Sequence, residues 1–563
     1  MPIIGIDLGT TNSLAAYFTP EGPKIIPNSF GEHLTPSVVS VGDDGEILTG
    51  KIAAERRFTS PQKTASVFKR YMGTKKEYKL GDKTFLPEEL SAFLIKKLKE
   101  DAEVFLGEEI TEAVISCPAY FSEAQRRATK TAGELAGLKV DRIVSEPTAA
   151  AIAYGLHEKE ESAKYLIFDL GGGTFDVSIL EFTRNIMEVR AVAGDNYLGG
   201  EDFNDILIAA FLRHNDLKES DLTEREEAAV YKASEYAKLH FSKNHFIAMQ
   251  AVVGGETKST EFTADEFEVY CQPLLLRLKN PVVRALSDAS VRMADISAVV
   301  LVGGATKLSI VRAFVGKLFG MLPASVINPD EAVALGAAVQ AAMKERNTAI
   351  KELLLTDVCS YTLGVEVANV RSGGLIQTGL YSPIIERNTV IPTSRVERYY
   401  TMHNQQKQVE INVFQGESRN TRDNIFLGNL NIPVPLGPAG AEAVDVRFTY
   451  DVNGILEVEV TTVSTGEMAK IIIEKNPGTM TQREIEESFA QLSALKIHPR
   501  DRDEYRYLLE MGERLYQEHM GDERGMIADA LAEFEEVLDK QNRGEIDAYV
   551  TRLREFFESL EGS

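Results

Sequence analysis

Two carboxylates, Asp7 and Asp169, each close an apolar run and open a turn of Gly and Thr. The first copy reads Ile3-Ile4-Gly5-Ile6-Asp7-Leu8-Gly9-Thr10-Thr11-Asn12-Ser13, and the second reads Tyr165-Leu166-Ile167-Phe168-Asp169-Leu170-Gly171-Gly172-Gly173-Thr174-Phe175-Asp176. Gly turns let backbone N–H groups approach a phosphate closely, and Thr hydroxyls add donors. A carboxylate at each strand end suits the hydrated Mg2+ that accompanies a nucleoside triphosphate. One Gly-rich turn alone reads as an ordinary hairpin. Two copies, with Asp, Gly and Thr in the same order after the same kind of strand, predict a two-lobed ATP-binding engine whose turns face each other across a cleft. Neither copy closes with the Gly-Lys-Ser/Thr of a P-loop, and neither matches the dinucleotide fingerprint.

Those turns need strands to hold them, and residues 1 to about 348 alternate short strands with helices. Val114-Ile115-Ser116 and Ala298-Val299-Val300-Leu301-Val302 are further strands, the second running into a third turn, Gly303-Gly304-Ala305-Thr306. Helices are predicted over Ser122 to Leu135 and Asp330 to Lys344, so this part reads as α/β in two similar halves. Lys351 to Val358 is a short apolar segment flanked by acids, either the last turn of the preceding helix or a buried strand. From about 359 to 474 the pattern is all-β. Val409-Glu410-Ile411-Asn412-Val413, Val444-Asp445-Val446-Arg447-Phe448 and Leu456-Glu457-Val458-Glu459-Val460 alternate with period two between turn signals, as in a β-sandwich. Beyond Asn476-Pro477-Gly478 the chain is charged and helical, with Ile527, Ala530, Leu531, Phe534, Val537 and Leu538 on one apolar face. The expected architecture is multi-domain: an α/β unit over 1–348, a linker over 349–358, an all-β sandwich over 359–475 and a helical segment over 476–563.

A chain of 563 residues is too long for one core, which agrees with several domains. Lys+Arg 61 against Asp+Glu 85 gives a net charge of −24, which disfavours general binding to nucleic acid or anionic membranes. There is no Trp and no basic–aromatic interleaving on which bases could stack. No apolar run approaches the roughly 20 residues of a membrane span. The opening Met1-Pro2-Ile3-Ile4-Gly5 has no basic n-region, so no secretory signal is expected. Cys117, Cys271 and Cys359 show no metal-ligand spacing and suit a reducing compartment, so a cytoplasmic location is expected.

With these motifs laid out, the chain resembles the DnaK-type chaperones, the seventy-kilodalton heat-shock family, over essentially its whole length. Besides the two Asp-Leu-Gly turns, the resemblance rests on Pro118-Ala119-Tyr120-Phe121, Glu146-Pro147-Thr148-Ala149-Ala150-Ala151, Leu198-Gly199-Gly200-Glu201-Asp202-Phe203, Asn328-Pro329-Asp330-Glu331-Ala332-Val333-Ala334 and Leu353-Leu354-Leu355. The shortened C-terminal region is similar to the HscC-type branch. The resemblance implies an actin-like ATPase domain, a hydrophobic linker, a peptide-binding β-sandwich and a helical lid. ATP would open the peptide site and hydrolysis would close it. Expected partners are unfolded polypeptide segments, a J-domain co-chaperone and a nucleotide-exchange factor.

The family match also assigns roles in the ATP site. Gly9, Thr10, Thr11 and Asn12 would form the first phosphate loop, and Gly171, Gly172, Gly173 and Thr174 the second. Asp7 and Asp169 would position Mg2+ through water. Lys69 would stand beside the γ-phosphate and the attacking water, with Glu146 near that water. Taken alone, Lys69 and Glu146 read as a surface ion pair. Glu235, Lys238 and Ser242 share one helix face at i, i+3 and i+7, and with Gly303, Gly304 and Thr306 they would hold the adenosine. Two departures bear on nucleotide affinity. Lys307 replaces an Arg that would stack on the purine, and Leu239 replaces a residue that contacts adenine. No arginine finger is evident. A closed state lasting about a second to a minute needs a barrier of roughly 17–20 kcal/mol, so low basal ATPase activity is expected.

For coupling, the match makes Pro118 and Arg126 the proline switch and its arginine, and places Arg142 and Asp357 where a J-domain or the docked linker pairs. Thr356 stands where a fourth apolar linker residue is usual, which predicts weaker docking. In the sandwich, Val409 aligns with the floor of a hydrophobic pocket lined by Val365, Tyr399, Ile411 and Val413, under an arch formed by Ala368 and Met402. Ordinary sandwich core is the competing reading for each of these. Two other functions share the ATPase fold, a sugar or acetate-type kinase and an actin-like filament protein. Both leave residues 359–563 without a task.

Overall fold

The computed structural model describes residues 2–155, 162–183, 186–241, 244–324, 327–344, 354–370, 376–451, 454–473, 498–501 and 503–561. The chain folds as two compact units, Met1–Tyr361 and Thr362–Ser563. Among the described residues no helix is long and apolar enough to cross a membrane.

The first unit contains two mixed sheets built alike. In one, the order is Lys139–Ser145, Glu112–Cys117, Ile4–Asp7, Asn12–Thr19, Gly22–Ile26; in the other it is Ala298–Val302, Ser162–Leu170, Phe175–Thr183, Ile186–Asp195, Leu354–Val358. Each Asp-bearing strand is parallel to one neighbour and antiparallel to the strand that follows it in the chain. The repeated sequence thus takes the same place in each sheet. These strands are apolar on both faces, with Ile4, Ile6, Leu166, Ile167 and Phe168 fully buried, because helices cover both sides. The helix Ala332–Lys344 lies so close to the strand Ile4–Asp7 that a Cβ on Gly5 would sit 2.2 Å from the Ala338 nitrogen. It crosses Glu146–Ala153 equally tightly, since a Cβ on Gly336 would sit 1.8 Å from the Ala149 carbonyl oxygen. That packing fixes the helix Glu146–Ala153, and with it Glu146 at its first turn, against the strands.

The apolar segment before residue 359 is a strand rather than a helical turn where it is described. Leu354, Leu355 and Thr356 pair in parallel with Ile186, Met187 and Glu188. Leu353 and the linker residues before it lie outside the described residues.

The second unit has two four-stranded antiparallel sheets. Their orders are Ile376–Ile385, Leu363–Val370, Gln408–Gln415, Ile425–Pro433 and Thr393–Tyr400, Ala443–Tyr450, Leu456–Thr462, Met468–Ile473. The three alternating segments read from sequence are strands of these sheets, with Ile411, Val413, Val444, Val446, Phe448, Val458 and Val460 inside. The change of texture at Asn476 to Gly478 lies outside the described residues. Helices Asp503–Glu518, Asp522–Asp539 and Arg543–Glu561 follow, and they share a core of Leu508, Leu515, Ile527, Leu531, Phe534, Leu538 and Phe557. Ala530 and Val537 are only partly buried against it. Gln541 Nε2 donates to the Val396 carbonyl at 3.1 Å, which ties the helices to a sheet.

Candidate functional site

The two Gly/Thr turns meet face to face. A Cβ on Gly172 would lie 2.2 Å from Thr11 Cγ2, and one on Gly173 would lie 2.4 Å from Thr10 Cγ2. Each turn is tied down separately. The Gly9 N–H donates to Ser13 Oγ at 3.1 Å, and Ser37 Oγ donates to the Gly9 carbonyl at 2.8 Å. Gly171 is hydrogen-bonded to the Thr174 carbonyl at 3.0 Å, and the Gly171 and Gly172 carbonyls accept from the N–H groups of Gly200 and Glu201 at 2.9 and 2.8 Å. Arg70 bridges the halves, with Nε on the Gly173 carbonyl at 2.8 Å and Nη2 on Asp202 at 2.6 Å.

Behind the turns lies a buried acid cluster with one lysine. Lys69 Nζ and Glu146 Oε1 are 2.8 Å apart, with side chains only 3% and 9% exposed. The surface ion pair that these residues suggest in isolation is therefore a buried one, a far more costly arrangement to break. Burial alone would lower the Lys69 pKa, but the charges of Glu146 and Asp7 and the Glu146 hydrogen bond outweigh it and hold the ammonium above its usual range. Asp7 accepts from Ser116 Oγ at 2.8 Å. Its pKa is pushed up to about 7, first by burial and then by the charge of Glu146. Asp176 is likewise raised to about 7 by burial and Glu146, and it accepts from the Tyr120 N–H at 3.1 Å. Asp169 is raised well above the usual carboxylate range by burial and by Glu146, Asp176 and Asp7.

Asp169 Oδ2 is buried without a hydrogen-bond partner among the described residues. Crowded carboxylates that raise one another, one of them with a bare oxygen, fit a divalent cation that would lower all of them together. No group of three or more His, Cys, Asp or Glu able to hold a metal by itself occurs among the described residues.

The third turn joins this cluster. Gly303 has φ +82°, a left-handed value, and a Cβ there would lie 2.4 Å from the Leu170 carbonyl oxygen and 2.9 Å from Asp169 Oδ1. Thr306 Oγ1 donates back to the Gly303 carbonyl at 2.7 Å. Lys307 pairs with Asp330, so its charge is engaged beside the turn. Glu235 and Lys238 lie on the helix Glu224–His240, and Lys238 Nζ donates to the Gly200 carbonyl at 3.2 Å. Burial lowers the Lys238 pKa against the opposing charge of Glu201. Leu239 points outward, 58% exposed. Ser242 lies outside the described residues.

Pro118 is buried, and the turn after it is gripped by Arg126, which donates to the Phe121 carbonyl at 3.3 Å, the Ala119 carbonyl at 2.9 Å and Cys117 Sγ at 3.3 Å. Arg142 is exposed on the strand Lys139–Ser145. Asp357 is in the strand Leu354–Val358, away from the acid cluster in sequence and in sheet position.

A sequence profile of the family described as "Hsp70 protein" matches residues 3–80 and 76–562. The chain belongs to the Hsp70 family. "Chaperone protein DnaK" of Thermotoga petrophila and of Thermotoga maritima are each 41% identical to it over 485 residues, covering 84% of this chain and 80% of theirs. The protein of the same name from Thermosipho africanus is 40% identical over 484 residues, 84% of this chain and 79% of its own. As an Hsp70 protein the chain is an ATPase and an ATP-dependent molecular chaperone, and the kinase and filament readings are not favoured.

Within this Hsp70 chain, the seven residues expected at the peptide site divide into two sets. Val365 and Ile411 are buried in one sheet with Val413, and Val365 is paired with Val413 across strands. Val409, Ala368, Tyr399 and Met402 are half-buried. Ala368 falls at a register shift between Val367 and Asn369, and the Tyr399 hydroxyl is 3.0 Å from Ser382 Oγ. A cavity of about 550 Å³ opens beside Val367, Leu380, Ser382 and Arg419, and none of the seven lines it.

Sequence reasoning gave no role to Asp176, Arg70, Asp202 or Ser116. Asp176 stands within the second quoted motif and pairs across strands with Asp169, so it was the most accessible of the four. Arg70 directly follows Lys69, but its partner Asp202 is 132 residues away and only the fold joins them.

Proposed function

We propose that the facing turns hold the ATP phosphates, and that the charge state of the cleft between them decides whether residues 362–473 grip or release an unfolded, Leu-containing polypeptide segment. The observation that carries this reading is the contact of the two turns above a buried Lys69–Glu146 pair. Gly9, Thr10, Thr11, Asn12 and Gly171 to Thr174 offer N–H and hydroxyl donors to phosphate oxygens. Asp7 and Asp169 hold a hydrated Mg2+, which when bound neutralises phosphate charge. Lys69 presents a fixed cation to the charge that grows on the transferred phosphoryl group. Glu146 keeps that cation aimed and orients the attacking water. Glu235, Lys238, Ser242, Gly303, Gly304, Thr306 and Lys307 form the adenosine side.

The domain scheme remains 1–348 for an actin-like ATPase, 349–358 for the linker, 359–475 for the peptide-binding sandwich and 476–563 for the lid. Pro118 and Arg126 relay nucleotide state to the linker strand. Arg142 and Asp357 pair with a J-domain partner or the docked linker, and an exchange factor resets the cycle in the cytoplasm. ATP and peptide each weaken the other, because coupling free energy is reciprocal. In the sandwich, Val409, Ala368, Tyr399 and Met402 are the contacts favoured by partial exposure, while Val365 and Ile411 support the floor from within. Calorimetric titration of the full chain with an unstructured Leu-containing peptide tests the peptide site. Binding with ADP is expected at about micromolar strength, or −8 kcal/mol. Absence of binding to any such peptide would remove the claim.

A further inference from the structure

The hairpin formed by Leu363–Val370 and Ile376–Ile385 carries an extra residue in its second strand. Val367 pairs with Leu380 and Asn369 with Gln377, so Thr378 and Gly379 together oppose Ala368. Gly379 takes up this bulge at φ +75°, a left-handed value. Side chains alternate faces along a strand, so Gln377 and Leu380, three apart, would otherwise point to opposite sides. The bulge puts both on the face that carries Val365, which is buried in the sheet's core. The loop that bears Arg419 is strapped to the same kink. The Tyr381 N–H donates to the Arg419 carbonyl at 2.9 Å, Leu380 bridges Asn420, and Thr421 Oγ1 donates to the Gly379 carbonyl at 3.3 Å.

The cavity of about 550 Å³ opens between this hairpin and this loop. Its size falls within the roughly 300–1,000 Å³ of ligand sites. Val367 and Leu380 give it apolar wall, while Asn369, Gln377 and Arg419 bring N–H donors to its rim. Among the described residues no carboxylate lines it, and the Arg419 guanidinium pairs with none. In a chain with 85 acids against 61 bases, an arginine left open beside two amides is a seat for a carboxylate from outside. The cavity also adjoins the residues proposed to touch peptide. Ser382 lines it and lies 3.0 Å from the Tyr399 hydroxyl, and Val367 directly precedes Ala368. A carboxylate that reaches it from the peptide site belongs to the next stretch of the same bound segment.

We propose that this cavity is a subsite for an Asp or Glu side chain next to the Leu-containing core of a bound polypeptide, with Arg419 as the residue that sets the preference. This rests on the reading of residues 362–473 as a peptide clamp and adds the charge of the flank to it. The net charge of −24 repels acidic peptides in general, so a preference for acid has to arise locally.

The test is calorimetric titration of the full chain with ADP, using unlabelled peptides acetylated and amidated at their ends so that no terminal carboxylate competes. Two peptide sets share a Leu-containing core and carry Glu, Gln or Lys at one position, on the N-terminal side of the core in one set and on the C-terminal side in the other. The readout is the ratio of dissociation constants, Gln over Glu, within each protein, so a general change in affinity cancels. In one set the unaltered chain is expected to bind the Glu peptide about fivefold more tightly than the Gln peptide, the upper range for an ion pair open to water. That preference is expected to vanish in Arg419→Gln, and in Arg419→Glu the Lys peptide is expected to bind best. If no peptide of either set binds the unaltered chain, the clamp reading itself falls. Binding without a preference for Glu in either set, or a preference that survives Arg419→Gln, overturns the subsite alone. Loss of every peptide in Arg419→Gln and Arg419→Lys alike would also overturn it, by making Arg419 a support of the hairpin instead.

Discussion

Replacing Lys69 by Met removes the lysine that pairs with Glu146 in a buried cluster with Asp7, Asp169 and Asp176. With the pair 2.8 Å apart and almost fully buried, stripping one partner leaves an uncompensated charge, which typically costs about 3–5 kcal/mol. The protein has one escape, which is to take up a proton on the orphaned acids. Each pKa unit by which a folded carboxyl is raised costs about 1.4 kcal/mol when the pH lies above both values, and nothing once the pH falls below both. The loss should therefore be large at pH 8 and smaller at pH 6. Lys69→Met/Glu146→Gln removes both charges and should recover most of the stability. Hydrolysis should behave differently. Loss of a fixed charge at the developing transition state typically costs about 10²–10³ in rate, and the double variant cannot restore it. Urea titrations at the two pH values, with single-turnover hydrolysis alongside, give both quantities. A Lys69→Met penalty under about 1 kcal/mol at pH 8, equal at pH 6, would refute the reasoning, because it would mean that water already screens the pair.

Three further outcomes are expected. Burial and the charge of Glu146 push the Asp176 carboxyl from its ordinary 3.8 up to about 7, so its ionisation opposes folding as pH rises from about 4 to about 7. Asp176→Asn should leave stability nearly unchanged at pH 4 and raise it by on the order of 4 kcal/mol at pH 8 without nucleotide, read from urea midpoints; a gain independent of pH would contradict this cause. Gly172→Ala forces a Cβ to within 2.2 Å of Thr11 Cγ2, so ATP binding measured by calorimetry should weaken by at least about tenfold while ATP-free stability changes less. Phe534→Ala opens a cavity in the three-helix core, where Phe534 is fully buried, and should cost that segment about 3–5 kcal/mol, visible as faster amide exchange in Asp503–Glu561.

The candidate site is legible in the sequence where local pattern and three-dimensional position coincide. Asp7 and Asp169 end strands that are apolar on both faces, and the Gly/Thr turns follow directly, so a linear motif contains the whole local geometry. Pairs joined only by the fold, such as Arg70 with Asp202 and Tyr120 with Asp176, leave no periodic trace and went unread. Lys69 and Glu146 were named, but their burial was not legible, since charged residues in a polar stretch ordinarily face water. The alternating strands of the second unit were plain from period two. Alternation marks which face is covered but not what covers it, so it left core and pocket undivided for Val365, Ile411 and Val413.

The most direct test of the central claim, that nucleotide state controls peptide grip, is release of a fluorescent Leu-containing peptide from the full chain on mixing with ATP or with ADP. ATP is expected to accelerate dissociation at least about tenfold over ADP, a coupling of roughly 1.4 kcal/mol. Equal release rates with the two nucleotides would contradict the account.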